Sequence, residues 1–362
     1  MKVTSIVGAR PQFVKASVVS RELRLNHHEV LVHTGQHYDS NLSDLFFEEL
    51  DIPRPDFNLG VGSASHGAQT AEMLAKLETL LLRERPDWVL VYGDTNSTMA
   101  GALAAAKLRI PVAHVEAGLR SYNRGMPEEI NRIVADHLSQ LLFCPSQTAV
   151  GNLKKEGISE GVFEVGDVMA DVLYHTVHHT PVIAEPMQRF GLKEKGYILA
   201  TIHRAENTDN PQKLKNIVSG LLSLNEPVLF PLHPRTRKAL QNQGLWTKLS
   251  ADDNLIYLIE PQGYLNMIKL EQSARVILTD SGGVQKEAYW LGVPCLTLRG
   301  ETEWVETVIA GWNVLVGTDA EVILEQVRSF KPPEQRPQLY GDGRAAKRCV
   351  GLLSEFQVNV YN

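Results

Sequence analysis

Three acidic residues in the first half of the chain follow short apolar segments of the kind that form buried strands. Asp94 and Glu116 come close behind two such segments, and Glu128 comes shortly afterwards, behind Pro127. Taken singly, Asp94 could cap a helix and Glu128 could compensate a helix dipole. Clustered carboxylates, however, move each other's pKa values apart and so supply an acid and a base, and they can also bind Mg²⁺. We expect the three side chains to converge on one crevice.

Two basic residues stand where a phosphate group would meet the start of a helix. Arg10 and Lys15 follow the first apolar segment, in the sequence GARPQFVK. The plain alternative is a solvated arginine in a loop. Gly8 is the one glycine of this turn, so the turn lacks the G-x-G-x-x-G pattern of a dinucleotide site. We therefore expect anion binding here, and we expect no nicotinamide or other cofactor.

A serine and two glycines in the second half of the chain predict another anion site. Ser281, Gly282 and Gly283 follow an apolar segment and precede a helical pattern. Such a turn exposes backbone N–H groups at the helix start, which suits a diphosphate, although a plain helix entry is the alternative. Glu287, on the same helix, could accept hydrogen bonds from two ribose hydroxyls. His203, which also follows an apolar segment, is a candidate acid, base or phosphate ligand.

Short apolar segments alternate with helical patterns along the chain, which predicts α/β domains with doubly wound parallel sheets. Six strands are predicted in each half. They are 3–7, 30–34, 88–92, 112–115, 141–144 and 162–165, then 197–202, 227–231, 255–259, 276–279, 294–298 and 314–316. Amphipathic stretches at 70–82 and 131–142 predict helices. Domains of this type bind ligands at the carboxyl ends of their strands, where the residues above fall.

A chain of 362 residues is long enough for two domains. The weakest patterning lies around residues 174–196, and we place the junction near there. The predicted boundaries are residues 1–170 for the first domain and 171–341 for the second. Residues 342–362 are expected to include a helix that could pack back on the first domain.

The composition is that of an ordinary globular protein, with 43% hydrophobic and 22% charged residues. The net charge of −6 argues against nucleic acid or an anionic membrane as a partner. No apolar run reaches the roughly 18 residues of a membrane span, and the N-terminus is typical of a strand. Three separated cysteines argue against a disulfide framework, and the histidine pairs at 27–28 and 178–179 lack further ligands at suitable spacing. We expect a cytoplasmic protein without a metal site.

The motifs GARPQFVK, GDTNST, HVEAGLR, MPEEINR, TIHRAENTD and DSGGVQKEA occur in this order along nearly the whole chain. In this combination the sequence resembles the non-hydrolysing UDP-N-acetylglucosamine 2-epimerases. The resemblance implies two Rossmann-like domains that face a central cleft, the GT-B type, with UDP bound mainly by the second domain. It also implies an isomerase that is a homodimer, takes a UDP-sugar as its substrate and makes precursors of bacterial surface polysaccharides such as lipopolysaccharide.

The resemblance also assigns roles to individual residues. The implied catalytic residues are the three carboxylates and a histidine: Asp94, Glu116, Glu128 and His203. The implied substrate-binding residues are Arg10, Lys15, Gln262, Met267, Ser281, Gly282, Gly283 and Glu287. Within that second set, the two basic residues supply cations, residues 281–283 hold the diphosphate, the glutamate accepts the ribose hydroxyls, and residues 262 and 267 contact uracil.

Several positions depart from the UDP-N-acetylglucosamine enzymes of the family. Trp304, Ala205 and Tyr38 stand where those enzymes have arginine, and Ile202 stands where they have glycine. These departures resemble the subgroup that epimerises UDP-2,3-diacetamido-2,3-dideoxy-glucuronic acid to its manno form. The acidic sugar of that subgroup carries a carboxylate at C6, and Arg299 is the candidate for binding it.

The chemistry of C2 inversion favours one mechanism. The C2 proton of a 2-acetamido sugar is not next to a carbonyl, so its direct abstraction is prohibitive, and oxidation at C3 would need NAD. If UDP leaves first, the C2 proton becomes acidic, and its loss gives a 2-acetamidoglucal to which UDP can add again. We therefore predict elimination and re-addition of UDP. A GT-B glycosyltransferase with a UDP-sugar donor is the alternative function, and a two-lobed binding protein is a third.

Overall fold

The computed structural model describes residues 1–35, 52–179, 185–251 and 254–356. The chain separates into two compact units. Unit 1 consists of Met1–His175 together with Tyr340–Asn362, and unit 2 is Thr176–Leu339. The contacts thus divide the chain at 175/176 and 339/340, whereas the sequence suggests 170/171 and 341/342.

Unit 1 is built on a seven-stranded parallel sheet. Its strands are β1 (Lys2–Val7), β2 (His28–His33), β3 (Phe57–Asn58), β4 (Trp88–Tyr92), β5 (Val112–Val115), β6 (Leu141–Cys144) and β7 (Val162–Glu164). Their order across the sheet is β3-β2-β1-β4-β5-β6-β7. Strands β2 and β3 therefore lie on one side of β1, and the strands from β4 onwards lie on its other side. The strand order reverses between β1 and β4, which pair from Val3↔Trp88 to Ile6↔Val91.

Helices connect these strands. They are α1 (Arg10–Asn26), α2 (His66–Glu84), α3 (Asn96–Lys107), α4 (Pro127–Leu138), α5 (Gln147–Lys155) and α6 (Val168–His179). The strands are continuous apolar runs because helices cover them on both faces, and all five residues of β4 are buried. A last helix, α16 (Ala345–Glu355), completes unit 1 and packs against α1.

The start of α16 is held by a carboxylate of α6. Asp171 accepts hydrogen bonds from the backbone N–H groups of Ala345, at 3.0 Å, and Ala346, at 2.8 Å. Two of the N–H groups that a helix start leaves unpaired are thereby satisfied. Burial raises the pKa of Asp171 to about 6, although the two hydrogen bonds favour its ionised form. The C-terminal helix is thus fixed to unit 1 by a specific polar contact as well as by packing.

Unit 2 repeats the architecture with a six-stranded parallel sheet. Its strands are β8 (Ile198–Thr201), β9 (Val228–Pro231), β10 (Ile256–Ile259), β11 (Val276–Thr279), β12 (Cys295–Thr297) and β13 (Asn313–Leu315). Its helices are α7 (Glu185–Arg189), α8 (Ala205–Thr208), α9 (Pro211–Leu222), α10 (Pro234–Asn242), α11 (Trp246–Leu249), α12 (Tyr264–Ser273), α13 (Gly282–Leu291), α14 (Val305–Ile309) and α15 (Ala320–Ser329). The strand order is β10-β9-β8-β11-β12-β13.

Both units have the strand order 3-2-1-4-5-6 when their own strands are counted from the first, and unit 1 adds a seventh. This is the doubly wound Rossmann order, so the predicted fold class of two Rossmann-like α/β domains is confirmed. Ligands bind such sheets where the order reverses, beyond the carboxyl ends of the strands. In unit 1 that point lies between β1 and β4, and in unit 2 it lies between β8 and β11. No helix among the described residues is both long and apolar enough to cross a membrane.

The prediction of six strands in the first half of the chain is wrong by one, because it omits β3. This strand has two residues, too few to produce a recognisable pattern. The helix predicted at 131–142 is displaced, since α4 spans Pro127–Leu138. Its apolar spacing runs on into the leucines of β6, so periodicity alone does not mark its end. The remaining predicted strands overlap the observed ones within two residues at either end.

The turn between β1 and α1 requires glycine at position 8. A Cβ atom on Gly8 would lie 2.0 Å from Ser97 Oγ and 2.3 Å from Thr34 Oγ1, two hydroxyls that are themselves hydrogen-bonded at 2.8 Å. We expect Gly8→Ala to lower the free energy of unfolding by about 1–3 kcal/mol, the usual cost of overpacking a core. Urea unfolding monitored by circular dichroism would measure it. The control is Gly62→Ala, where a Cβ meets nothing within 4 Å; equal midpoints for the two variants would contradict the prediction.

Candidate active site

The β1–α1 turn of unit 1 is fixed by a buried glutamine. Gln12 Oε1 accepts hydrogen bonds from the backbone N–H groups of Gly8, at 2.8 Å, and Ala9, at 3.0 Å. Its Nε2 donates to the carbonyl oxygen of Tyr92, at the end of β4. Gln12 therefore joins the ends of the two strands at which the sheet order reverses. Arg10 is exposed at the first position of α1, on the rim of this turn.

Lys15 and Glu116 form a buried ion pair beyond the carboxyl ends of β1 and β5. The Lys15 ammonium contacts Glu116 Oε2, and the two side chains are 12% and 11% exposed. Burial by itself would lower the pKa of Lys15, but the carboxylates of Glu116, Asp94 and Asp167 outweigh burial and raise it above its ordinary value. Lys15 is therefore a fixed cation, and Asp94 and Glu116 both lie near it.

Asp94 is held from the other side by α4. The guanidinium of Arg132 contacts Asp94 Oδ2 and also Glu129 Oε2, the latter at 2.8 Å. Asn131 Nδ2 donates to the backbone carbonyl of Asp94 at 3.0 Å. Burial would lower the pKa of Arg132, but Asp94, Glu129 and Glu116 together raise it. Three carboxylates, Asp94, Glu116 and Glu129, thus share two cations, Lys15 and Arg132, in one cluster at this end of the sheet.

Glu128 and Glu129 are neighbours with different environments. Glu129 is buried and accepts hydrogen bonds from the backbone of Ser121 and Tyr122, both at 2.9 Å, as well as from Arg132. Burial opposes its ionisation, but these partners together lower its pKa. Glu128 is exposed in the first turn of α4. Because residues four apart share a helix face, Glu128 lies on the same face as Arg132 and hence on the side of Asp94.

The backbone at two of these positions is in the left-handed region. Gly93, directly before Asp94, has a φ of 61°, and Glu116 itself has a φ of 72°. That region is ordinary for glycine and costs a residue with a side chain of order 1–3 kcal/mol. Such strain persists only where the surroundings impose it and is frequent at active sites. Glu116 is therefore placed by its surroundings at an energetic cost.

In unit 2, a buried aspartate organises the loop after β8. Asp280, which follows β11, accepts hydrogen bonds from the backbone N–H groups of His203 and Arg204, each at 3.0 Å, and from Asn207 Nδ2 at 3.0 Å. His203 Nδ1 lies 3.5 Å from Asp280 Oδ1. Burial lowers the pKa of His203, and the nearby His233, Arg204 and Arg235 add to this effect, while Asp280 opposes it. His203 is consequently a neutral imidazole at pH 7.

The predicted anion turn of unit 2 lies at the same edge of the sheet. Ser281 is the N-cap of α13, its Oγ accepts from the N–H of Val284, and Gly282 and Gly283 are the first two residues of the helix. A Cβ on Gly282 would come within 3.2 Å of Trp304 Nε1, whereas one on Gly283 would have only Ser281 Oγ within 4 Å, at 3.8 Å. The backbone at Gly283 is thus open to a close approach by a ligand.

The predicted nucleoside contacts lie further along unit 2. Glu287 is buried on α13, and its carboxyl group interacts with that of Glu271 on α12. Gln262 Nε2 donates to the carbonyl oxygen of Glu260 at 2.8 Å, and Met267 packs against the apolar core below α12. Gln262 precedes α12 and Met267 lies within it, so both follow the carboxyl end of β10.

A charged cluster around Arg299 lies beside Gly282, next to Trp304, one of the positions that depart from the family pattern. Arg299 is 6% exposed and its guanidinium binds both carboxylate oxygens of Glu303, at 2.9 and 3.2 Å. Arg299 Nε lies 3.4 Å from Glu206 Oε1. Arg299 is therefore neutralised within unit 2, which weakens its candidacy for a sugar carboxylate. Trp304 covers the ammonium of Lys286, with 3.9 Å from Nζ to the ring centre. Tyr38 lies outside the described residues.

Three site residues are absent from the sequence prediction: Gln12, Arg132 and Asp280. Each lies inside a quoted motif, but its task is to hold backbone or another side chain. The signal that could have found Gln12 is its place three residues after the helix N-cap, where a glutamine commonly returns to the backbone. Asp280 directly follows β11 and so has the same strand-end signal as Asp94, whereas no comparable signal marks Arg132.

The geometry defines a class of protein. Both units have Rossmann strand order and place polar side chains at the point where that order reverses. Unit 1 carries carboxylates and cations of the kind that move protons, and unit 2 carries a helix start suited to a diphosphate. The molecule is an α/β protein of the GT-B class.

Comparison with known proteins identifies the family. The sequence profile described as UDP-N-acetylglucosamine 2-epimerase matches residues 21–354. A Methanococcus maripaludis protein described as a UDP-N-acetylglucosamine 2-epimerase homolog is 54% identical over 358 residues, which are 98% of this chain and 99% of that protein. The UDP-2,3-diacetamido-2,3-dideoxy-D-glucuronate 2-epimerase of Pseudomonas aeruginosa is 50% identical, over 98% of this chain and all of that protein.

Solved structures agree with the sequence comparison. The UDP-GlcNAc 2-epimerase of Methanocaldococcus jannaschii, in complex with UDP-GlcNAc and UDP, is 44% identical with a TM-score of 0.86, over 98% of this chain and 99% of that one. The Neisseria meningitidis enzyme bound to UDP-GlcNAc is 33% identical with a TM-score of 0.85, over 98% of this chain and all of that one. The chain belongs to the UDP-N-acetylglucosamine 2-epimerase family, and the predicted resemblance is confirmed. Since an epimerase inverts one stereocentre, it is an isomerase.

Proposed function

We propose that this protein inverts C2 of a UDP-2-acetamido sugar without net hydrolysis, by eliminating UDP and adding it back. The observation that carries the proposal is the cluster of Lys15, Asp94, Glu116 and Arg132 at the switch point of unit 1. Such a cluster holds two carboxylates at fixed positions beside two permanent cations. It is the arrangement that proton removal and proton return at one carbon require.

The proposal assigns separate roles to the residues of each unit. Unit 2 would bind UDP, with the diphosphate on the N–H groups of Gly282 and Gly283, the ribose hydroxyls on Glu287, and uracil near Gln262 and Met267. The sugar would be handled by Asp94, Glu116 and Glu128, with Arg10 and Lys15 supplying cations for the departing diphosphate and His203 as a further acid or base. The open approach to Gly283 supports the diphosphate site. The lowered pKa of His203 supports its role as an acid or base.

The proposed reaction has two steps. In the first, the bond between C1 and the diphosphate oxygen breaks with its electron pair going to UDP, and a carboxylate takes the C2 proton as the C1–C2 double bond forms. In the second, the diphosphate oxygen bonds to C1 again while a proton is delivered to the opposite face of C2. Preorganised N–H donors stabilise the charge that develops on UDP, and acid/base groups move the proton.

Two substrates are candidates, UDP-N-acetylglucosamine and UDP-2,3-diacetamido-2,3-dideoxy-glucuronate. Identity alone does not choose between them, because the Pseudomonas relative named for the second is 50% identical, whereas Methanococcus maripaludis relatives named after the first are 54% and 45% identical. We propose the diacetamido-glucuronate as the preferred substrate, in a pathway to a surface polysaccharide, because Ile202, Ala205 and Trp304 depart from the pattern of the UDP-N-acetylglucosamine enzymes. Arg204 is then the candidate for binding the sugar carboxylate. It lies beside Gly282, and its one ion pair among the described residues is long, at 3.7 Å from Glu303.

Deuterium incorporation tests the proposed reaction. Purified enzyme in D₂O, with no NAD added, would be given each of the two UDP-sugars in turn, and the products would be analysed by NMR and mass spectrometry. We expect one deuterium at C2 of the manno product and faster turnover of the diacetamido sugar. An unlabelled epimer would overturn elimination, and a product formed only when a sugar acceptor is added would favour the glycosyltransferase alternative.

We further propose that the protein is a cytoplasmic homodimer. The cysteines Cys144, Cys295 and Cys349 are all buried as free thiols, which suits a reducing compartment. Sedimentation equilibrium would test the assembly, with a mass twice that of the 40.3 kDa chain as the expected result.

A further inference from the structure

A buried ion network lies behind the two turns of unit 1 that carry Asp94 and Glu116. Its centre is His114 on β5, which has no exposed surface. His114 Nδ1 lies 2.7 Å from Asp136 Oδ1, and His114 Nε2 lies 2.7 Å from the carbonyl oxygen of Gly93. Both ring nitrogens are thus engaged with oxygen atoms inside the core.

Both of these oxygen atoms can only accept hydrogen bonds. A backbone carbonyl has no proton to give. Burial by itself would raise the pKa of Asp136, but its contacts with His114 and Arg120 outweigh burial and hold it below the ordinary value, so the group is a carboxylate. A neutral imidazole has one N–H and could donate to one partner only. Both acceptors are satisfied together only when the ring of His114 carries a proton on each nitrogen.

The charges around this ring balance. Arg120 Nη1 donates to Asp136 Oδ2 at 2.6 Å, and its other nitrogens bind both carboxylate oxygens of Glu156 at 2.7 Å. With a doubly protonated ring, two cations and two anions share the network. Burial raises the pKa of the neighbouring Cys144 thiol, which stays neutral. A charged histidine is stable in the core because each of its N–H groups and the aspartate opposite have partners.

The network connects the backbone next to Asp94 with the backbone next to Glu116, the two residues of the proposed acid/base pair. Gly93, whose carbonyl accepts from His114, has a left-handed φ and directly precedes Asp94. Asp136 Oδ2 also accepts from the N–H of Gly118 at 3.1 Å, and Gly118 has a φ of 79° two residues after Glu116. One hydrogen-bonded path thus runs from the Asp94 turn through His114 and Asp136 to the Glu116 turn.

We propose that His114 is a positioning residue, a doubly protonated ring that fixes the Asp94 turn relative to the Glu116 turn. The proposal rests on the proposed epimerase function of the same cluster. Small displacements of reacting groups are costly, with a 1 Å error capable of lowering the rate by roughly 100-fold. Loss of His114 should accordingly lower kcat and leave KM unchanged, because nucleotide binding is assigned to unit 2.

A pair of substitutions separates the two hydrogen bonds of the ring. The amide of His114→Gln can extend to the position of Nε2 and donate to Gly93, whereas the shorter His114→Asn can reach Asp136 but not Gly93. We expect His114→Asn to lower kcat by roughly 10- to 100-fold at unchanged KM, with at least partial recovery in His114→Gln. The control is His137→Asn, at an exposed histidine of the same helix as Asp136. Equal kcat values for wild type and a folded His114→Asn variant would overturn the proposal.

The protonation state has a readout that does not depend on activity. In protein labelled with ¹⁵N at histidine, His114 should show two ring N–H correlations, and both should disappear in either His114 variant. A ring with a single N–H would overturn the proposal even if the variants failed to fold. If wild-type protein epimerised neither sugar, the proposed function would fail, while the two N–H signals would still report on the network.

Discussion

Glu116→Gln is expected to lower kcat for epimerisation by roughly 10² to 10⁴-fold, the usual contribution of a positioned acid or base. Glutamine keeps the size of the side chain but cannot take a proton from C2 or return it. The structure places Glu116 through its ion pair with Lys15 and its strained φ of 72°. Initial rates with a coupled or NMR assay, together with the deuterium content of the product, would measure the effect.

Loss of the buried carboxylate also affects stability, and a second substitution separates the two effects. Lys15 loses its main partner in Glu116→Gln, and breaking a buried pair can cost about 3–5 kcal/mol. The double variant Lys15→Met with Glu116→Gln should regain stability because no unpaired charge remains, yet it should stay inactive. The control is Glu160→Gln at an exposed position of unit 1. A Glu116→Gln enzyme with more than a tenth of the wild-type kcat would exclude the proposed role.

Glu271→Gln is expected to make unit 2 more stable at pH 8 and to have little effect near pH 4. Glu271 is completely buried on α12, and neither of its carboxyl oxygens has a hydrogen-bond partner among the described residues. Burial, and then the charge of Glu287, raise the pKa of Glu271 well above its ordinary value of 4.5. Between this ordinary value and the raised one, the carboxyl group is therefore protonated in the folded protein and ionised in the unfolded chain.

The sign of the pH dependence follows from proton counting. Between pH 4.5 and the raised pKa, the folded state binds one proton more than the unfolded state, so raising the pH favours unfolding. The stabilisation is fully present below the ordinary pKa and is lost at about 1.4 kcal/mol per pH unit as the pH rises. Glutamine does not titrate and avoids this loss.

Urea unfolding of unit 2 across this pH range would measure the effect, with tryptophan fluorescence as the signal. The difference in unfolding free energy between the Gln variant and wild type should grow steadily from pH 5 upwards. Glu321→Gln, at an exposed position of α15, is the control and should remain parallel to wild type. A difference that stays flat from pH 5 to 8 would show that Glu271 is ionised in the folded state.

Much of the fold could be predicted from the sequence because buried parallel strands are continuous apolar runs. The strands at 88–92, 112–115, 141–144 and 276–279 have the predicted bounds. The two-residue strand β3 could not be predicted, since its pairing with β2 depends on the tertiary structure. The start of α4 is marked by Pro127, but its end is obscured because the apolar spacing of the helix continues into the next strand.

The candidate site also contains some residues that the sequence predicts and others that it does not. Residues that follow strands, such as Asp94, Glu116 and His203, are predictable because parallel strands bring their carboxyl ends to one edge. A residue that holds those side chains, such as Arg132, is not, because a sequence does not show which carboxylates of the folded protein need a partner. Burial of a carboxyl group such as Glu271 is also invisible, since it sits on a helix with no distinctive pattern.

The division of unit 1 into two chain segments bears on how the protein is made. Unit 2 is one continuous stretch that lies in the chain between the two parts of unit 1. During translation, unit 2 can therefore leave the ribosome complete while unit 1 still lacks α16, whose apolar residues are buried in the finished protein. Because domains tend to fold as units during synthesis, we expect unit 2 to finish first. The cluster of Lys15, Asp94, Glu116 and Arg132 would then reach its final form only when α16 has emerged.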